Sequence, residues 1–235
     1  MSAASELQAR IVALERLLAG VYGEKPWRPV DPLDALVLTI LSQNTNDVNR
    51  DRAFARLREH FPTWEAVRDA PPDAVVEAIR PAGLAPTKGP HIQAALRRIS
   101  EERGALDLSF LANLPLEEAR AWLLDMPGVG FKTAAIVLLF ALGRPAFPVD
   151  THVHRLAQRL GLIAEGTSRQ EAHRLLEEVV PPDLYYSFHL NLIEHGRAVC
   201  HARRPACQNC VLRGECAFYR AQGEMVSEKE GGWSS

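Results

Sequence analysis

The chain has 235 residues, 47% of them hydrophobic and 24% charged, with a formal net charge of −2. That length and apolar content support a globular protein of one large or two small domains with a sizeable core. The slightly acidic balance lacks the general basic signature of a nucleic-acid binder, and the longest apolar runs, ALVLTIL and AAIVLLFAL, fall far short of the roughly 18 residues of a membrane span.

In chain order, Leu7, Ile11, Leu14, Leu17 and Leu18 recur at helical spacing and predict an amphipathic N-terminal helix that must dock on something. The same N-terminus, MSAASELQAR, carries a glutamate where a signal peptide would be apolar, so the expectation is a soluble, cytoplasmic protein. KPWRPVDP then breaks the chain. Helices are predicted over 33–43, 47–60, 73–80, 90–102, 115–125, 132–142, 151–160, 169–180 and 184–196, and no segment sustains a period of two. Local chemistry supports the boundaries: Ser168 and Glu171 form a capping box, Pro115 suits a first turn, and Asp150 or Thr151 can cap the helix after AFPV. The fold class is all-α, and the polar, Gly-rich residues 221–235 read as a mobile tail.

Between the predicted helices ending at 125 and beginning at 132 lies MPGVGFK. Gly128 and Gly130 can take positive φ and leave backbone N–H groups uncovered beside a helix start, a geometry suited to phosphate and equally to a plain helical turn. Lys132 is the informative residue, because at a helix start a lysine faces the unfavourable end of the macrodipole. Eighteen residues later Asp150 opens another helix, where it reads as an N-cap that retains a second role. If the two helix starts converge, a desolvated amine and a carboxylate line one cleft, and such an amine can act as a Schiff-base nucleophile.

All four cysteines fall within seventeen residues, as Cys200, Cys207, Cys210 and Cys216. A reducing compartment argues against disulfides, and the clustering argues for one shared centre, either tetrahedral zinc or a cubane iron–sulfur cluster. Structural zinc usually draws two C-x2-C pairs, whereas this loop has one pair and two outliers, a spacing that favours the cluster. His201 reads as solvated. The region is locally basic: Arg197, Arg203, Arg204, Arg213 and Arg220 stand against Glu215 alone, a balance of +4 that could face a polyanion.

The segment MPGVGFKTAAIVLLFALGRPAFPVDTHVHRLAQRLGL, followed by HGRAVCHARRPACQNCVLRGEC, resembles the endonuclease III branch of the helix-hairpin-helix DNA glycosylases. The three features that carry the likeness, the hairpin with its lysine, the VDTH aspartate and the cysteine pattern, span residues 123–216, and ILSQNTNDVNRDRAF extends it towards the N-terminus. The resemblance implies two helical lobes with double-stranded DNA across the cleft: a six-helix barrel at 31–144 holding the hairpin, and a second lobe of 1–30 with 145–220 carrying a 4Fe-4S cluster on the four cysteines. It implies that Lys132 attacks C1′ of a damaged nucleotide, that Asp150 assists, and that a Schiff base then undergoes β-elimination. The expected partner is DNA with oxidised pyrimidines or abasic sites, bound by a nucleoid-associated monomer.

The resemblance also places Gly128, Val129 and Gly130 on the DNA backbone and, at the position of the glutamine that the family inserts into the duplex, Asn44, with Gln43 one residue earlier. Arg203 and Arg204, lying between two thiol ligands, are expected on phosphates. In GLAPTKGPHIQ the sequence departs from the family's pattern at Ala85, Pro86 and Pro90, and Lys88 and His91 read as solvated surface residues. Two alternatives are an adenine glycosylase, disfavoured because Thr39 stands where that family carries its catalytic glutamate, and a non-catalytic cluster or zinc module, disfavoured by the presence of Lys132 and Asp150.

Overall fold

The computed structural model describes residues 3–221, and within them the regular secondary structure is helical throughout; the tail read at 221–235 lies, beyond Ala221, outside the described residues. The chain divides into two compact units, Arg28–Ala146, and Met1–Trp27 together with Phe147–Ser235. No described helix is long and apolar enough to cross a membrane. The α-helices are α1 (Ala3–Tyr22), α2 (Pro32–Leu41), α3 (Asp47–His60), α4 (Trp64–Asp69), α5 (Pro72–Ala78), α6 (Ala85–Arg103), α7 (Leu116–Leu124), α8 (Phe131–Ile136), α9 (Thr151–Leu160), α10 (Arg169–Val179) and α11 (Tyr185–Ala198).

In the unit of residues 28–146, α2 is the central element, packed on α3, α6 and α8. Its sequence explains this: PLDALVLTIL is apolar nearly all round, the signature of a helix buried on every side, and Leu36, Ile40 and Leu41 are fully buried. Asp31 starts it by accepting from the N–H groups of Leu33 and Asp34, with Pro32 in the first turn. Leu57, Ile79, Ile92, Leu96, Leu123, Val137 and Leu138 complete the core around it.

Two departures from the sequence reading have local causes. Helix α6 begins at Ala85 rather than near Pro90, because Pro86 sits in the first turn, where its missing N–H leaves nothing unsatisfied, and Pro90 is exposed. The run after Lys132 changes from α-helix to π-helix at Val137–Ala141, a widened turn that the period of an α-helix does not encode.

In the other unit, α11 packs on α1 and α9. The predicted amphipathic stripe of α1 is partly inserted: Ile11, Leu14 and Leu18 are fully buried, whereas Leu17 is 42% exposed. Ser168 caps α10 by accepting from the Glu171 N–H at 3.2 Å. The segment Phe147–Val149 has no regular structure, yet it is buried, and side chains satisfy its backbone: Glu177 accepts from the Phe147 N–H at 2.8 Å, while His173 Nδ1 and His189 Nδ1 donate to the carbonyls of Phe147 and Pro148 at 2.9 and 2.8 Å.

Candidate functional site

The hairpin is built from a short turn. The Val129 N–H donates to the Met126 carbonyl at 3.1 Å, and Gly128 takes φ +79°, which L side chains rarely adopt. A Cβ on Gly128 would also lie 2.5 Å from His91 Nδ1, so glycine is required twice over, by the backbone and by the imidazole packed against it. Gln43 also reaches this turn: its Nε2 donates to the Gly128 carbonyl at 2.8 Å. Val129 is buried and holds the turn to the core, whereas Gly130 is exposed and N-caps α8 with extended backbone. Lys132, half-buried, occupies the first turn of that helix. The structure thus brings Gln43, Gly128, Val129, Gly130 and Lys132 into one neighbourhood.

Asn44 is exposed with φ +52°, in the left-handed region that asparagine tolerates. Leu84 is also left-handed, at φ +49° and ψ 29°, and is 54% exposed. For a leucine that conformation costs about 1–2 kcal/mol, and an exposed, strained apolar side chain is a feature sequence reasoning passed over. Between these two tips lies Lys88, only 2% exposed, whose Nζ donates to the carbonyl oxygens of Leu41 at 2.7 Å and Ala82 at 2.9 Å. Burial holds its ammonium below the usual lysine range. Lys88 is therefore not a solvated residue, and a sequence signal did exist: it falls on the buried stripe of α6 with Ala85, Ile92, Ala95 and Ile99. His91 is half-buried against the hairpin rather than solvated.

In the other unit Asp150 is the N-cap of α9, its Oδ1 accepting from the N–H groups of His152 and Val153, each at 2.8 Å. One carboxylate oxygen thus performs both capping bonds. His152 packs against Gly196, where a Cβ would approach its Nδ1 to 2.8 Å, and burial pushes its imidazole pKa down.

The four cysteines are free thiols that border one pocket, together with Arg159, Arg213 and Phe218. Arg159 Nη1 donates to Cys200 Sγ at 3.1 Å, and His195 Nε2 lies 3.2 Å from Cys210 Sγ, its Nδ1 meeting the Tyr22 hydroxyl at 2.9 Å. Burial, then repulsion from the neighbouring thiolates, pushes the Cys207 thiol up; burial does the same to Cys210. Among the described residues no group of three or more His, Cys, Asp or Glu side chains is gathered as a single-ion site. Arg203 and Arg204 are exposed on this loop, as is His201.

Residues 37–182 match the family described as HhH-GPD superfamily base excision DNA repair protein. Endonuclease III of Thermotoga maritima is 35% identical over 199 residues, which cover 84% of this chain and 88% of that one. A DNA glycosylase/AP lyase of Arabidopsis thaliana is 31% identical over 190 residues, 72% of this chain and 14% of that protein. A solved endonuclease III–DNA covalent intermediate, trapped as an estranged-adenine complex, matches with a TM-score of 0.77 and 27% identity over 92% of this chain and 98% of that one.

Proposed function

The chain belongs to the HhH-GPD superfamily of base excision DNA repair proteins, and from that membership we propose how this DNA glycosylase and AP lyase works and what it removes. Its substrate is duplex DNA carrying an oxidised pyrimidine or an abasic site. The observation that supports this most directly is the anchored hairpin followed at once by Lys132: Gln43 and His91 hold Gly128 from two sides, so the backbone N–H groups at the start of α8 can take a DNA phosphate while the amine faces the adjoining sugar.

Lys132, as the neutral amine, attacks C1′, and the base departs with the bonding electrons and takes up a proton. The resulting aminal opens to an imine, loss of a C2′ proton expels the 3′ phosphate, and the strand is nicked. Asp150 assists by stabilising positive charge developing on the sugar and by accepting the lysine proton; its second carboxylate oxygen, which makes neither of the capping bonds, is suited to this. Asn44 enters the duplex as the target nucleotide leaves it.

The donor set fits a 4Fe-4S cluster held by Cys200, Cys207, Cys210 and Cys216, since four free thiols of one short loop border one pocket and their single C-x2-C pair with two outliers departs from the paired spacing usual for structural zinc. Such a cluster would supply a rigid, charge-neutralising anchor for the loop rather than a step of the reaction. The adenine glycosylase reading is disfavoured at a specific atom: the Thr39 hydroxyl is buried and donates to the Ala35 carbonyl at 2.7 Å, leaving no acid on that face of α2.

Borohydride trapping tests the assignment. On duplexes with thymine glycol or an abasic site the wild-type protein should form a covalent adduct, and Lys132→Gln should bind the same duplexes without forming one. An adduct that survives in Lys132→Gln would overturn the role of the lysine. Trapping at the abasic site alone would restrict the protein to AP lyase chemistry.

A further inference from the structure

Lys88 is the most deeply buried cation of the described residues, and no carboxylate accompanies it. Burying an unpaired ammonium is expensive, and lysines are seldom found so. What compensates it is the position of its two acceptors. Leu41 is the last residue of α2, and Ala82 closes the short helical turn Arg80–Ala82, so both carbonyls stand at helix C-termini, where no intrahelical donor remains and a cation is favoured. One ammonium thus ends two helices at once.

The two chain segments it ends lead directly to the two exposed non-glycine residues of this unit with left-handed backbone. Asn44 comes three residues after Leu41, and Leu84 two residues after Ala82. Gly83, between Ala82 and Leu84, is at φ +68° with open space around it, and Leu84 in turn accepts from the N–H groups of Thr87 and Lys88 at 3.0 and 2.9 Å. The next turn of the same helix carries His91, packed on Gly128, and Gly128 in turn receives Gln43. The first two turns of α6 therefore set the Asn44 loop, the Leu84 turn and the hairpin against one another.

We propose that Lys88 is a positioning residue for nucleotide extrusion: by joining the carbonyls of Leu41 and Ala82 it holds the Asn44 and Leu84 tips at a fixed separation, so that both meet the duplex together at the nucleotide being withdrawn. This rests on the glycosylase reading above. The lysine touches neither DNA nor the reacting atoms. It acts through the spacing of two tips, and misplacement by about an ångström in such a constellation lowers rates by up to a hundredfold.

The experiment uses full-length protein and a duplex with a non-cleavable tetrahydrofuran abasic analogue opposite 2-aminopurine, whose fluorescence rises when the base unstacks. This readout needs no bond cleavage and so is independent of Lys132. Lys88→Met, which keeps the apolar stem but loses every donor, should lose roughly tenfold or more of the unstacking rate while binding undamaged duplex within about twofold of wild type. In an Asn44→Ala, Leu84→Ala background, already slow, adding Lys88→Met should change the rate by less than about twofold, because the tips through which it acts are gone. If Lys88→Met does not fold, Lys88→Gln, whose amide donors fall one bond short, carries the same test with a partial loss expected. Wild-type unstacking by the folded variant, or an equal loss in both backgrounds, would overturn the proposal and leave a purely structural cap. A folded wild-type protein that binds but never unstacks the duplex would overturn it together with the glycosylase reading, whereas unstacking without base release on thymine glycol would remove only the assigned substrate.

Discussion

Gln43 Nε2 donates to the carbonyl oxygen of Gly128 at 2.8 Å, which ties the residue before Asn44 to the hairpin and leaves Asn44 projecting, exposed, at φ +52°. The neighbouring polar residues therefore have separable tasks. Gln43→Ala removes one side-chain hydrogen bond, worth about 0.5–1.5 kcal/mol, and frees the hairpin that faces the phosphates. Binding to damaged and undamaged duplex should weaken alike, roughly twofold to tenfold in a titration at fixed salt. Asn44→Ala should leave undamaged-duplex binding intact and slow base release from paired lesions. The opposite pattern would make Gln43 the inserted residue.

Asp150 combines a cap with a proposed chemical role, and the two can be pulled apart. Asparagine caps as well as aspartate, so Asp150→Asn should keep both bonds to the His152 and Val153 N–H groups and change stability little. Asp150→Ala should cost about 1 kcal/mol more. Base release should fall strongly in both, by roughly a hundredfold or more if the carboxylate takes the lysine proton. Single-turnover rates beside thermal melts decide the matter, and near-normal release by Asp150→Asn would reduce Asp150 to a cap.

Why some of this was readable from sequence and some was not follows from the range of each interaction. The helices, the glycines of the turn, Lys132 before an apolar run, the Asp150 cap and the cysteine spacing are all local, decided within a few residues. Lys88 was read as solvated because its partners, Leu41 and Ala82, are 47 and 6 residues away and are backbone carbonyls that no residue type announces. The Gln43–Gly128 bond spans 85 residues, and the contact of His91 with Gly128 is equally non-local. The start of α6 is hidden for a different reason: Pro90 has the sequence appearance of a boundary, although it lies exposed inside the helix.

A pH dependence is built into the contact of α1 with α11. Glu15, 6% exposed, accepts from Asn191 Nδ2 at 3.1 Å, while Glu15 Oε2 and Asn191 Oδ1 are buried without a partner. A proton would turn Oε2 into a neutral donor, and burial indeed raises the Glu15 pKa, against smaller lowering effects from Ser187 and Asn191. For a carboxyl whose folded pKa is raised, the stabilisation is complete below the unfolded value of about 4.3 and is lost as pH rises through the folded value. Glu15→Gln supplies the missing donor permanently. It should raise the melting temperature at pH 8 more than at pH 4, flattening the profile; equal shifts at both pH values would mean that Glu15 stays ionised.

Arg203 and Arg204 are exposed on the loop between Cys200 and Cys207, with Arg204 at φ +50°. If both neutralise phosphates, replacing the pair with alanine should weaken damaged and undamaged duplex equally and reduce the slope of log affinity against log salt by up to about two. An unchanged slope would place the DNA elsewhere.

The same loop supplies the sharpest test of the thiol centre. From Cys200 to Cys216 the chain has only two short helical turns, Cys207–Asn209 and Arg213–Glu215, and only Leu212 is buried, too little apolar contact to order seventeen residues. If the four thiols hold the proposed cluster, that centre supplies the order the apolar contacts do not. Purified protein should be brown and contain iron and sulfide. Cys207→Ser should lose the colour and become open to limited proteolysis between 200 and 221. The helices of residues 28–146 should stay protected, since none of the four sulfurs belongs to that unit. Binding should then fall in the manner of the double arginine variant, because the loss of the centre acts on DNA only through the loop that carries Arg203 and Arg204. Colourless protein containing zinc, or a loop equally protected without its metal, would remove the cluster from the account while leaving Lys132 and the hairpin untouched.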